Sequence, residues 1–523
     1  MTRYTAAMLA LWLVPALVAS APVPSGVRDA LAEERLGLFP GREYRLTGGR
    51  CSDCPAPRQA LWYFEDDLVA VPRDTGGHRP SLVWVGAPDL LSGVRLAPGG
   101  GAVELEGATL PLELAPRLRT NRSYYDATSA AFFSRRPLRI RGRCEDSRFV
   151  ARQIWPEDYR LAGPRLDTRP LSSGDQVASL ITAKGGGVRA PFEARVLWQR
   201  PGSTPDLAGQ SVLALVLSGA QGDDDEAHGG HFAIATGGVG PKGEWHDWMV
   251  NNFYNLDSVS EKGIVAARVP MDHYLTDLNS GQSYYRPVYV LALVLRQPQA
   301  ARRYQDSIDP VYDRFYRHEF QYHHAALNCT GISMDALRGC GWKIPRKGPT
   351  SRTKATAAFF YMWAKERSLS KGESTFDYLS EEQTRLLPRA AFEAAGHDVL
   401  RMARGTPGRV PTEYERALAE DLTAVVFIRV PQIPSSRAWG QYPIGSFSEY
   451  QRRVPSDTSK WKIVSVDARA FPESLRDTPA PPPHHSRAPF YAALAIGGVG
   501  TGLAATAYGV RHWRARVRAR RAA

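Results

Sequence analysis

The hydrophobic pattern changes character about one third of the way along the chain. From about Val23 to Gly174, short apolar runs such as Ala60–Phe64, Leu68–Val71, Ser81–Val85 and Val103–Leu105 are cut by Gly and Pro clusters such as Pro98–Gly101. Runs of that length between turns predict a β-rich unit of the sandwich or barrel sort. From about Ser172 the runs lengthen. Phe192–Gln199, Ser211–Ser218, Gly230–Thr236, Glu244–Phe253 and Ile264–Val269 predict strands, and the unbroken Val288–Leu295 suits a buried one. Helical spacing follows over Ala300–Ala326, with a break expected at Pro310. A helix is expected from Cys329 to Leu337, stopped by Gly339 and Gly341. Lys354–Lys365 and Glu381–Met402 predict further helices, Thr423–Val430 and Trp461–Val466 late strands. The fold class expected is therefore α+β over residues 172–475, preceded by a β-rich domain over residues 22–171.

Both ends carry patterns of another kind. Met1–Ala21 has Arg3, an apolar stretch over Ala6–Val18 and small residues at its close, the layout of a signal peptide. Phe490–Val510 is free of charge and long enough for one transmembrane helix, with a Gly498/Gly502 pair inside it. The basic tail 511–523 would hold that end on the cytoplasmic side, and the Pro-rich segment 476–489 reads as a stalk. The reading is an exported chain tethered by one C-terminal helix, its folded part extracytoplasmic.

Composition narrows the class. With 523 residues, 43% hydrophobic and 23% charged, the chain has room for about two to three folded units and is neither disordered nor a polytopic membrane protein. Much of the net charge of +13 sits in the tail arginines, and the diluted surplus left to the folded part gives no warrant for nucleic-acid binding. Five cysteines leave at least one unpaired in an oxidising compartment. Cys51 and Cys54 admit a structural disulfide, with each other or with Cys144 as the partner of one of them, or a redox or zinc site; the flanking Pro55 and Pro57 favour a structural loop.

Cys329 is the chemically suggestive residue. At a helix start, the N–H groups and the positive end of the dipole favour a thiolate and can receive an oxyanion. The competing reading pairs it with Cys340, eleven residues on. A thiol nucleophile needs a base, and His231 heads a small-residue strand after Gly229 and Gly230. A third group orients that ring; Asn252 is fit for it, and so are His246, Asp247 and Asn251. His323 and His324 are rival bases. Asp223, Asp224, Asp225 and Glu226 with His228 and His231 form a cluster that could hold a divalent cation, though no distant ligand completes it, and no metal or cofactor is expected.

Gly230-His231 at a strand start, Val250–Phe253 on the next strand and Asn328-Cys329 at a helix start, in that order, resemble the circularly permuted papain-like thiol enzymes. Within that group the pattern is similar to the periplasmic domain of a bacterial membrane-anchored family linked to lipoprotein N-acylation. The resemblance covers residues 205–340, roughly a quarter of the chain. It implies a permuted papain-like catalytic domain with Cys329 as nucleophile, His231 as base and Asn252 as orienting group. It also implies acyl transfer or hydrolysis through a Cys thioester on a lipid or lipoprotein substrate. A cysteine peptidase or amidase acting on cell-wall peptides, or a non-catalytic envelope-binding module, are the alternatives.

Overall fold

The computed structural model describes residues 34–475, apart from 55–57, 65–66, 74–80, 116–124, 164–165, 172–176, 183–189, 222–227, 254–265, 279–280, 320–321, 326, 350, 437–439 and 463–471. The expected leader, stalk, membrane span and tail lie outside these residues, as do most of Trp461–Val466 and the acidic loop Asp223–Glu226. Among the described residues no helix is long and apolar enough to cross a membrane.

After a two-stranded ladder of Arg35–Leu36 and Phe39–Pro40 come strands β1 (Tyr44–Gly48), β2 (Leu68–Pro72) and β3 (Val83–Gly86). Five more, β4 (Asp89–Leu96), β5 (Ala102–Leu105), β6 (Ala108–Leu114), β7 (Leu138–Glu145) and β8 (Arg148–Pro156), close a barrel in the order β8-β6-β5-β4-β7. Its interior is filled by Leu91, Val94, Val103, Leu138, Ile140, Phe149 and Ile154, a core of its own. Then come β9 (Leu166–Thr168), β10 (Glu193–Gln199), β11 (Ser211–Ser218), β12 (His231–Gly238), β13 (Met249–Asn252), β14 (Ala267–Pro270), β15 (Val288–Leu295) and β16 (Leu422–Val430). These join β1–β3 in one mixed sheet ordered β9-β10-β16-β15-β11-β12-β13-β14-β3-β2-β1, which has 11 strands.

The molecule is thus mixed α+β with large sheets, and the line drawn at residue 172 divides the chain more cleanly than it divides the fold. Strands β1–β3 and β9 come from the first segment yet extend the sheet of the second, β3 pairing with β14 through Val83 and Arg268.

The centre of the sheet follows from its sequence. Ser-Val-Leu-Ala-Leu-Val-Leu-Ser and Val-Tyr-Val-Leu-Ala-Leu-Val-Leu have no polar alternation, so β11 and β15 must be covered on both faces, and all of β15 is buried. The helices that pack on β11 and β12 are α3 (Gln299–Tyr316) and α5 (Pro388–Ala403), with α4 (Cys329–Gly339) against β12; α1 (Met271–Thr276) and α2 (Gln282–Tyr285) sit between β14 and β15.

Three local expectations are corrected. The helix expected to break at Pro310 runs through it: Ile308, Tyr312, Phe315 and Tyr316 form a buried stripe on both sides of an exposed Pro310, and that packing outweighs one lost backbone bond. The single helix expected over Glu381–Met402 is interrupted at Leu387, and α5 restarts with Pro388 in its first turn, where a missing N–H costs nothing. Ala60–Phe64, expected as a strand, falls in the helix Arg58–Tyr63 and the turn after it. Leu61 and Phe64, three apart, are both buried, and a short apolar run carries no period that separates helix from strand.

Candidate active site

The helix α4 starts at Cys329 because Asn328 caps it. Asn328 has extended backbone, and its Oδ1 accepts from Gly331 N at 2.9 Å. Its Nδ2 donates to His324 O at 3.0 Å and to Leu386 O at 3.1 Å, so both ends of the amide are held. Cys329 is therefore the first helical residue, buried, with the N–H groups of Cys329 and Thr330 in the turn where the helix itself supplies no acceptor. Cys340 closes the same helix, and its Sγ donates to Arg303 O at 3.5 Å. Eleven helical residues span about 16 Å, far beyond disulfide reach. The Cys329–Cys340 pairing is thus overturned by helix geometry. Cys51 and Cys54 form a disulfide with each other, while Cys144 stays a thiol, so it is not the partner of either.

His231 is the first residue of β12, with its ring buried. Its Nε2 lies 2.8 Å from Asn252 Oδ1. An amide oxygen only accepts, so Nε2 carries the proton and Nδ1 presents the lone pair that can take one. Burial, then the nearby Arg286 guanidinium, push the ring's pKa down to about 3 against the opposing Asn252 bond, which keeps the imidazole neutral.

Register separates the rival orienting residues. Asn251 is opposite Ile234, which places Asn252 opposite Ala233 on the same face as His231, and Asn251 on the other. Asn251 Nδ2 instead donates to Ile234 O at 3.2 Å. His246 and Asp247 precede β13 and sit in the field of Glu34 and Arg139 at the barrel joint. His323 and His324, expected on a helix, lie in a turn closed by paired backbone bonds between His323 and Leu327, both rings' residues being exposed.

Two residues that sequence reasoning did not select lie beside His231. Ser218, at the end of β11, pairs with His231. Its Oγ is 3.3 Å from the Tyr274 hydroxyl, in α1. The Tyr274 ring centroid is 6.4 Å from that of His231, and its hydroxyl feels both the Cys329 thiol and the Arg286 guanidinium. Burial above all keeps Tyr274 protonated, its pKa well above the usual phenol value, so it is a donor at this site. Neither has a local signature. Arg286 does: a charged residue two positions ahead of the buried strand β15 calls for an explanation.

Glycines make the room. Gly230 has φ +75°, and a Cβ there would meet Ser218 O at 2.4 Å. A separate cavity of about 1030 Å³ lies along the β9–β10 edge of the sheet, lined by Phe132, Arg136, Tyr159, Phe192, Arg195 and Arg429 among others, and includes neither Cys329 nor His231. Among the described residues, the group of ligand atoms close enough to hold a metal is Cys51, Asp53 and Cys54, two of which are already bonded to each other. No known protein family, curated protein or solved structure matches the chain.

Proposed function

We propose that this protein is a papain-like thiol acyltransferase or acyl hydrolase, tethered outside the cytoplasm and acting on a lipid or lipoprotein substrate. The observation that carries this reading is the 2.8 Å bond from His231 to Asn252 Oδ1, on the strand against which the Cys329 helix packs. In the reaction, His231 Nδ1 takes the thiol proton and the sulfur attacks the acyl carbonyl. The resulting oxyanion is received by the N–H groups of Cys329 and Thr330 at the positive end of α4. His231 then gives its proton to the leaving oxygen, leaving the acyl group as a thioester on Cys329. Water or an amine attacks next, His231 takes the proton of that nucleophile and passes it to the sulfur, and the thiol is restored as the acid or amide departs. Asn252 keeps the ring in the tautomer that both steps need. The permuted papain-like fold, the leader and the C-terminal anchor belong to this proposal; the anchor would confine the thiol to the plane where lipid substrates lie. The Cys51–Cys54 disulfide supports an oxidising compartment.

The test is intact-mass analysis after incubation with phospholipid vesicles and a lipoprotein acceptor. A palmitoyl mass increment on Cys329 that hydroxylamine removes, and that Cys329→Ser abolishes, is expected. Release of peptides from purified cell wall, with no acyl adduct, would replace this reading with that of a peptidase.

A further inference from the structure

Arg286 stands two residues before Val288, which pairs with Ser218, itself paired with His231. It is only 4% exposed. Its Nε and Nη2 donate to Gln282 Oε1 at 2.8 and 2.5 Å, and its Nη1 to Gly219 O at 3.4 Å. Both acceptors are neutral. Other buried arginines of the chain each hold a carboxylate: Arg139 and Arg141 share Glu34 and Asp272, and Arg268 holds Asp309. Among the described residues none does so for Arg286. Three of its five N–H groups are used, which leaves one on each terminal nitrogen, the pair that grips two oxygens of a carboxylate or phosphate.

A buried cation without its counter-charge is costly, and this one acts on both the His231 ring and the Tyr274 hydroxyl, the latter also within the influence of the Cys329 thiol. The cost is accounted for if the missing negative charge arrives with the substrate. We propose that Arg286 is the specificity-determining residue of this site and receives a phosphate or carboxylate group carried by the acyl substrate near its reacting carbonyl. This deepens, and rests on, the thiol-enzyme reading above.

The experiment compares alkylation of Cys329 in the full chain by iodoacetate, an anion, and iodoacetamide, its neutral analogue. With either reagent the thiolate forms a carbon–sulfur bond as iodide leaves, so the ratio of the two rates reports only on the charge. Against the same ratio for glutathione, the wild type is expected to favour iodoacetate by about tenfold, a modest fraction of what one nearby charge supplies at low dielectric. Arg286→Met brings the ratio to that of glutathione, and Arg286→Lys keeps most of the preference. A wild-type ratio equal to that of glutathione, or a preference that survives in Arg286→Met, overturns the proposal. The wild-type measurement decides even if the Met variant fails to fold. Inorganic phosphate slowing iodoacetate more than acetate does assigns the group to a phosphate-bearing lipid, the reverse order to a peptide carboxylate; no slowing by either counts against the site. Iodoacetamide labelling that is indifferent to His231→Ala would sink the dyad alone, and the iodoacetate preference would still be judged on Arg286.

Discussion

At the scale of single residues, the account turns on how His231 is held. Its ring is neutral because burial and Arg286 depress its pKa to about 3, so protonation of the base does not limit Cys329 reactivity at ordinary acidity. The expected profile of iodoacetamide labelling against pH has no step near 6.5, the value of an unperturbed imidazole; a step there would mean a solvated ring. Asn252→Ala removes the acceptor that fixes the tautomer. Labelling of Cys329 is expected to slow by about tenfold, the equivalent of one buried hydrogen bond of about 1.4 kcal/mol, while Asn251→Ala leaves it within about twofold. The sequence offered Asn251 and Asn252 as equals because both are amides; only the pairing of Asn251 with Ile234 assigns them to opposite faces. Arg286 stands out in the sequence as a charge just before an apolar strand, but the neutral acceptors around it come together only in the fold.

At the scale of elements, what was readable was whatever a local period or cap dictates. Ser211–Ser218 and Val288–Leu295 came out residue for residue, because an unbroken apolar strand has nowhere to go but the middle of a covered sheet. The start of α4 was readable because Asn328 is a capping residue followed by a helical run. Asn328→Ala is expected to cost about 1 kcal/mol through the lost cap, and more through the bond to Leu386 O, measured as a lower urea midpoint. The passage of α3 through Pro310 was not readable, since it depends on Tyr312 and Phe315 being buried against other elements. Because Pro310 is exposed and its ring serves no contact in that stripe, Pro310→Ala is expected to raise stability by about 1–3 kcal/mol, seen as a higher melting temperature; a fall would show that the ring is needed where it stands.

For the whole molecule, the joint between barrel and sheet is ionic and buried. Arg141 of β7 holds Asp272 at the start of α1 and Glu34, each at 2.8 Å, and Arg152 of β8 holds Asp67 and Asp277, each at 2.9 Å. Removing one member leaves charges uncompensated, so Arg141→Met is expected to destabilise by about 3–5 kcal/mol and to expose the joint to protease. This arrangement, like the strands β1–β3 that cross to the far edge of the sheet, links residues 85 to 131 positions apart and leaves no trace in local periodicity. The histidines give the pH dependence its sign against Asp247, whose carboxyl is pushed up to about 7 by burial and offsets about one ring. His231 and His246, both depressed to about 3 chiefly by burial, stay neutral in the fold but bind a proton below 6.5 when unfolded. The unfolded chain thus holds more protons between 6.5 and about 3, so their contribution is full above 6.5 and falls as the pH drops, by about 1 kcal/mol per unit for each ring. Against the upward push of burial, Arg141 and Arg139 hold Glu34 and Asp272 down at about 2, which adds to the loss only below the ordinary carboxylate range. Urea midpoints between pH 7 and 4 check this; midpoints that rise on acidification would contradict it.

The most direct test of the central claim, that one thiol is activated by one imidazole, is the second-order rate of Cys329 alkylation by iodoacetamide near neutral pH, mapped by peptide mass in wild type and His231→Ala. The account predicts that Cys329 outpaces Cys144 and Cys340, and that the substitution removes the advantage. Equal rates in the two proteins would contradict it.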